Sequence, residues 1–333
     1  MKVKRLKDPS DTFDLQFPER TPFDVVTFGQ NSVDQLCVVP AYPCLNSKTE
    51  ILQCETLPGG QVATAAVFLA RMGLRTRYIG KVGGDDYGRF SLKSLAMEEL
   101  DISKVIVEEN SISQHAIIII DKESGERTIL CQGGPGLNFM DSELVKEDVC
   151  AGKILHLDGS DPASALRAAA WCREQGIPVS ADLDTVVPCC RELVESVDFL
   201  ITSANFPPEF TGIPDPVDSF LALAERFDGL LAVTLGADGA MAFAGNRCFS
   251  FPALKVSPVD TTGAGDIFHG GFIYGLLQNW PLQRIMAFAN AAAGLSCGYL
   301  GARAGIRPLS EILRSSRQLL LSAGAGSGTA GTV

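Results

Sequence analysis

Positive charge is what this chain is short of. Its 28 Lys and Arg face 39 Asp and Glu, for a net charge of −11. Nucleic acid and anionic membranes require a basic face, so neither is expected as a partner. Long apolar runs are also missing. Stretches such as residues 116–120 are strand-sized, far short of a membrane span. The basic start, residues 1–8, is followed by no apolar segment and does not read as a secretory signal. Only three histidines accompany ten scattered cysteines, and no C-x-x-C pair occurs. Zinc is therefore not expected, and the cysteines read as reduced thiols of a cytoplasmic protein. There is no G-x-x-x-x-G-K-[ST] phosphate loop, and the dinucleotide fingerprint fails because Phe268 stands where its third Gly belongs.

What is present is a well-cored composition, 46% hydrophobic and 20% charged over 333 residues. That length suits one large α/β domain with a lesser appendage, or two domains. A polar, Pro-containing leader covers residues 1–22. Beyond it, strand-like segments at 25–28, 77–82, 153–157, 179–182, 199–202 and 231–235 alternate with helix-like ones. The helical patterns fall at 61–71, 87–99, 163–174, 216–227, 264–278, 282–297 and 310–321. Apolar strands interleaved with amphipathic helices predict a mainly parallel sheet covered on both faces, with ligands beyond the carboxyl ends of the strands. Residues 32–57 and 106–131 break this rhythm and are expected to form a small lid sheet, with a turn at 122–125. The Gly- and Ala-rich tail, 322–333, is expected to be disordered and to lie outside a domain of residues 23–321.

The most informative stretch is Asp260-Thr261-Thr262-Gly263-Ala264-Gly265-Asp266, followed directly by a helical run. Gly263 and Gly265 let the backbone turn with its amides converging. The helix that starts there aims its positive end at the turn, which favours an anion. Asp266, in the first helical turn, can take a proton from an attacking hydroxyl, and the dipole is expected to keep it ionised. The alternative is a tight strand-to-helix connection capped by Asp266. A strand-like lead-in at 251–259 and a second Gly pair at a helix start, Gly59-Gly60, favour the anion hole with Ala264 at its centre.

On these motifs the chain resembles the ribokinase-like (PfkB-type) carbohydrate kinases, from about residue 24 to 310. The resemblance implies a three-layer α/β/α core with a mainly parallel sheet and a β-sheet lid. It implies transfer of the γ-phosphate of ATP to a sugar or nucleoside hydroxyl, with Mg²⁺ and a monovalent cation such as K⁺. By similarity Asp266 is the base and Gly263–Gly265 the anion hole, while Asp260 and Thr262 touch the monovalent cation. Asp34, Gly59, Gly60, Thr64 and the lid arginine Arg127 would bind the acceptor. Thr234, Gly236, Gly239 and Asn290 would line the nucleotide. Two positions depart from the family pattern. Asn205 is followed by its acid, Glu209, one residue late and across two prolines, so its service to Mg²⁺ is open. Thr64 stands where many members carry Asn. Only Lys48 offers positive charge near Asp34 and Gly59, which favours a neutral sugar. A nucleoside kinase and a catalytically inactive binding protein of this fold are the alternatives, and pairing of two copies through the lid is expected from relatives.

Overall fold

Two sheets share the chain in the computed structural model, which describes residues 6–134 and 136–325. In chain order the strands are β1 (Val25–Phe28), β2 (Ser32–Val39), β3 (Gln53–Gly59), β4 (Thr76–Gly83), β5 (Asp101–Glu108), β6 (His115–Asp121) and β7 (Arg127–Gln132). They continue with β8 (Ile154–Asp158), β9 (Val179–Leu183), β10 (Phe199–Ser203), β11 (Leu230–Thr234), β12 (Ala240–Ala244) and β13 (Arg247–Phe251). The helices are α1 (Gln61–Arg71), α2 (Asp86–Ala96), α3 (Lys146–Val149), α4 (Pro162–Glu174) and α5 (Cys190–Ser196). They are followed by α6 (Phe206–Thr211), α7 (Pro216–Arg226), α8 (Ala264–Leu277), α9 (Leu282–Ser296) and α10 (Leu309–Ala325).

The large sheet runs β13-β12-β11-β10-β9-β8-β1-β4-β5 and is parallel from β11 to β5, with β12 and β13 antiparallel at one edge. Its central strands are short apolar runs, and every residue of β1, β8 and β9 is buried. Such strands need helices on both faces. One face packs a cluster that includes Phe68, Phe272 and Phe288, and the other a cluster that includes Leu193, Phe220 and Leu223. Helix α8 is buried along most of its length. It reaches that depth through missing side chains: a Cβ on Gly271 would stand 2.9 Å from Ala289 Cα of α9, and one on Gly270 2.6 Å from the Phe68 ring. This close packing fixes where the first turn of α8 sits.

The second sheet, β3-β2-β6-β7, is the expected lid. Its pairs β2/β3 and β6/β7 are antiparallel, but β2 and β6 run parallel because they enter the lid from the same side. Leu36, Ile118 and Ile120 of its inner face pack with Leu300 of the main body.

Four expectations need correction. Residues 106–108 belong to β5 of the large sheet, so that lid segment starts at His115. The lead-in at 251–259 is strand only to Phe251 and irregular beyond, where Pro252 and Pro258 withhold ladder donors. The leader is not merely polar. Leu6 and Phe13 are buried, Phe13 stacks edge-on against Phe199, and the carbonyls of Leu6, Pro9 and Asp11 accept bonds from Gly245, Gln283 and Leu282. At the other end α10 continues to Ala325, four residues into the expected tail, whose remainder lies outside the described residues.

Candidate active site

The first turn of α8 leaves backbone donors unspent. Gly263, its N-cap, adopts φ 77°, a left-handed conformation that favours Gly, and a Cβ there would stand 2.6 Å from Ala302 Cα. The Ala264 amide bonds to Thr261 O at 3.3 Å and that of Ile267 to Gly263 O at 3.0 Å. The amides of Gly263, Gly265 and Asp266 have no hydrogen-bond partner among the described residues. Nothing lies within 4 Å of where a Gly265 Cβ would stand. An open cradle of free amides at a helix N-terminus fits a terminal phosphate of ATP.

The approach to this cradle is braced by Asp260. Its Oδ1 accepts the Thr262 amide at 2.8 Å and its Oδ2 the Gly301 amide at 2.7 Å. Buried and fully engaged, Asp260 holds the turn to the segment following α9. Thr262 Oγ1 is enclosed without a partner among the described residues.

On the lid side, Ser32 Oγ donates to Asp34 Oδ1 at 2.7 Å, and Asp34 is buried. The space a Gly59 Cβ would need is already filled by the Asp34 carboxyl group. Gly60, at φ 92°, could carry no Cβ either, because one would lie 2.6 Å from Asn31 Cα. Gly59 is thus required by the carboxylate it sits beside, and Gly60 by its own φ and the backbone of residues 30–32. Beneath it lies Arg303, which no sequence motif announced. Its Nη2 donates to Gly59 O at 2.6 Å and Asn31 Oδ1 at 3.3 Å, and its Nη1 to Ser94 Oγ at 3.1 Å. Burial pushes its guanidinium down to about 10, leaving it charged at neutral pH. Arg127, on the lid's inner face, donates to Thr261 Oγ1 at 2.6 Å. It fastens the lid to the turn before α8. Thr64 does not line the opening: it is fully enclosed in α1 and its hydroxyl has no partner.

The electrostatics centre on Asp266, which is half-buried. Burial, and after it the charge of Asp182, raises its carboxyl well above the usual range, while Arg127 opposes them. The dipole of α8 does not keep this group an ordinary carboxylate, as the sequence had suggested. Asp34 and Asp184 also repel it. Burial raises Asp34 too, and raises Asp158 to about 6. Asp182, buried at the end of β9, meets His269 Nε2 at 3.1 Å. Asp34, Asp266, Asp182, Asp184, Arg127 and Arg303 therefore converge where the lid meets the carboxyl end of the sheet.

The nucleotide side is less uniform. Thr234 ends β11 and its Oγ1 donates to Thr202 O at 3.3 Å. Gly236 and Gly239, at φ 58° and 94°, shape the turn into β12, and the Leu235 amide reaches Gly239 O at 2.7 Å. Asn290 is buried, and its Nδ2 donates to Phe251 O at 3.1 Å. That bond ties α9 to β13. Asn205 and Glu209 are exposed at α6; burial raises the Cys190 thiol, and Glu209 lies close enough to add to it. They are not among the charges that act on Asp266. Among the described residues no three His, Cys, Asp or Glu side chains could hold a metal ion together.

Comparison with known proteins agrees with this geometry. A fructokinase of Klebsiella pneumoniae is 30% identical over 276 residues, covering 76% of this chain and 87% of that protein. A ribokinase of Bacillus subtilis (strain 168) is 25% identical over 298 residues, covering 87% and 98%. The solved structure of Arabidopsis thaliana ribokinase complexed with ribose and ATP superposes with a TM-score of 0.75 at 22% identity, over 89% of this chain and 99% of that one, which bears on the fold alone. The model of the pfkB family of carbohydrate kinases matches residues 23–308, and the chain belongs to that family.

Proposed function

We propose that this protein transfers the γ-phosphoryl group of ATP to a hydroxyl of a small neutral sugar. The observation that carries the proposal is the half-buried Asp266 carboxyl standing beside the unpaired amides of Gly263, Gly265 and Asp266, in a cluster shared with Asp34 of the lid. ATP supplies the phosphoryl group, and Mg²⁺ carried on its phosphates offsets their charge. Asp34 orients the acceptor by accepting from its hydroxyls, and Gly59-Gly60 let it approach the backbone. Asp266 accepts the proton of the attacking hydroxyl, while the amides at the head of α8 hold the transferring group. Thr262 and Asp260 border the place assigned to a monovalent cation, and no step depends on it.

A neutral acceptor follows from the charges. Asp34, Asp182, Asp184 and Asp266 surround the site, and Arg303 is spent on Gly59, Asn31 and Ser94. Among the described residues Arg127 is the one remaining cation against these four acids and is bonded to Thr261, and Lys48 is exposed on the loop after β2. A phosphorylated or acidic acceptor would meet repulsion there. The ten cysteines are all free thiols, in keeping with action in the cytoplasm. Ile117 and Leu130 are register partners on the exposed lid face, and we assign that face to pairing between two copies.

The test is ADP release from ATP and Mg²⁺ with ribose, fructose, adenosine and sugar phosphates. We expect turnover with a neutral sugar and none with its phosphate. Asp266→Asn should lower kcat by ~10²–10⁴-fold with ATP affinity by calorimetry unchanged. A variant keeping a tenth of the activity would refute the assigned base.

A further inference from the structure

One buried pair stands directly behind the proposed base and has no part in the chemistry described so far. His269 lies one turn after Asp266 on α8, so the two project from the same side of the helix. Its Nε2 meets Asp182 Oδ1 at 3.1 Å, and the side chains of His269 and Asp182 are only 3% and 8% exposed. His269 Nδ1 finds no partner. Burial drives the imidazole down to about 3, so it is neutral, and since Nε2 is the nitrogen that has a partner, the N–H is placed there, facing Asp182. A bare Nδ1 is what that tautomer leaves behind. Burial, and after it Asp184, raises Asp182 well above the ordinary carboxylate range, and that N–H opposes the rise.

We propose that His269 and Asp182 form a positioning pair for Asp266, in which the imidazole N–H holds Asp182 in place and favours its anionic form, and Asp182 in turn sets how strongly the base retains a proton. The inference rests on Asp266 being the base. Two carboxylates in one low-dielectric site cannot both ionise freely, and a donor committed to one decides which of them gives way. By donating to Asp182 the imidazole offsets the burial that would protonate it, and Asp266 becomes the more basic partner, which is what removal of a proton from a sugar hydroxyl needs.

The surroundings of the pair are specific. Asp266 faces Asp182 and Asp184 from β9 and the loop after it, Asp34 from β2, Arg127 from β7, and Arg303 from the segment after α9. His269 faces Asp182, Asp184 and the ring of His156 on β8, whose centroid is 5.4 Å away. His156 is itself neutral, since burial holds it well below its ordinary range. Asp158, also on β8, is raised first by burial and lastly by Asp182. Asp182 is therefore the largest single charge acting on Asp266, and among the described residues His269 is the only side chain bonded to it.

The experiment follows the Asp266 carboxyl by carbon-13 NMR in the ligand-free protein labelled at Asp, with the resonance assigned by its loss in Asp266→Asn. Asp182→Asn, nearly isosteric, should lower the Asp266 midpoint by about one pH unit or more. His269→Leu should do the same, because Asp182 without its donor takes up a proton and stops repelling Asp266. His269→Gln, which can present an N–H in place of Nε2, should restore the wild-type midpoint. The acid limb of kcat/KM for the sugar should move to lower pH in step, with KM for ATP unchanged. An unmoved or raised midpoint in Asp182→Asn overturns the proposal, and it would mean that Asp182 is already protonated. Should His269→Leu fail to fold, Asp182→Asn and His269→Gln decide by the same criterion. An active Asp266→Asn would instead remove the base and leave the titration to judge the pair alone.

Discussion

Adding one methyl group at Gly59 should weaken use of the acceptor by one to two orders of magnitude, roughly 10- to 150-fold, without touching the nucleotide. A Gly59 Cβ would occupy the space of the Asp34 carboxyl group, and all three of that group's terminal atoms lie within 2.8 Å of it. Strand β3 is extended at this point and Gly59 is not among the positive-φ glycines, so alanine meets no backbone strain. The collision is with the side chain alone. Asp34 is buried and tied to Ser32, and it can clear the methyl only by giving up its place. Each hydrogen bond from a sugar hydroxyl to a carboxylate is worth about 1.5–3 kcal/mol. Losing one lowers kcat/KM by roughly 10- to 150-fold at 1.4 kcal/mol per decade. The assay is sugar-dependent ADP release at saturating ATP, alongside calorimetry of ATP binding. A thermodynamic cycle with Asp34→Ala sharpens it: if Gly59→Ala acts only by displacing Asp34, the double variant is no worse than Asp34→Ala alone. Additive losses, or kcat/KM within threefold of wild type in the single variant, would refute the steric reasoning.

Two further outcomes follow from buried polar groups. Thr64→Val replaces an enclosed hydroxyl that has no partner with a methyl of the same shape, so the chain should be unchanged or stabilised by about 1 kcal/mol in urea unfolding, with KM for the sugar unaltered. A large rise in KM would return Thr64 to the acceptor site. Arg303→Met removes the donors that hold Gly59 O, Asn31 and Ser94 together, and should cost roughly 3–5 kcal/mol while raising KM for the sugar more than that for ATP. Equal effects on both would show that Arg303 supports the whole fold and not the lid side.

The layered core was legible because β1, β8, β9, β10 and β11 are short apolar runs separated by helical periodicity, a pattern that parallel sheets impose. The head of α8 was legible for a different reason. A left-handed turn at Gly263 and an open position at Gly265 accept little else, so the glycines declare themselves. Arg303 was not legible, because its role depends on contacts with residues more than 200 positions away in sequence. Asp182 and His269 were hidden in the same way: a strand-end acid and a helical histidine gain meaning only when packing brings them to 3.1 Å. Asn290 and Thr64 erred in the opposite direction. Family position suggested contact with ligands, whereas local packing gave one a main-chain carbonyl and sealed the other inside α1. The leader misled because two apolar anchors, Leu6 and Phe13, are spaced too far apart to show any period.

The bond from Arg127 to Thr261 joins two parts of the molecule that handle different reactants. One end belongs to the sheet that carries Asp34, and the other lies five residues before Asp266. Being exposed, the bond is weak enough to open and close with the traffic of small molecules. On the proposed reaction, closing that latch brings the sheet that carries Asp34 onto the turn before Asp266 and shuts out water, the competing nucleophile.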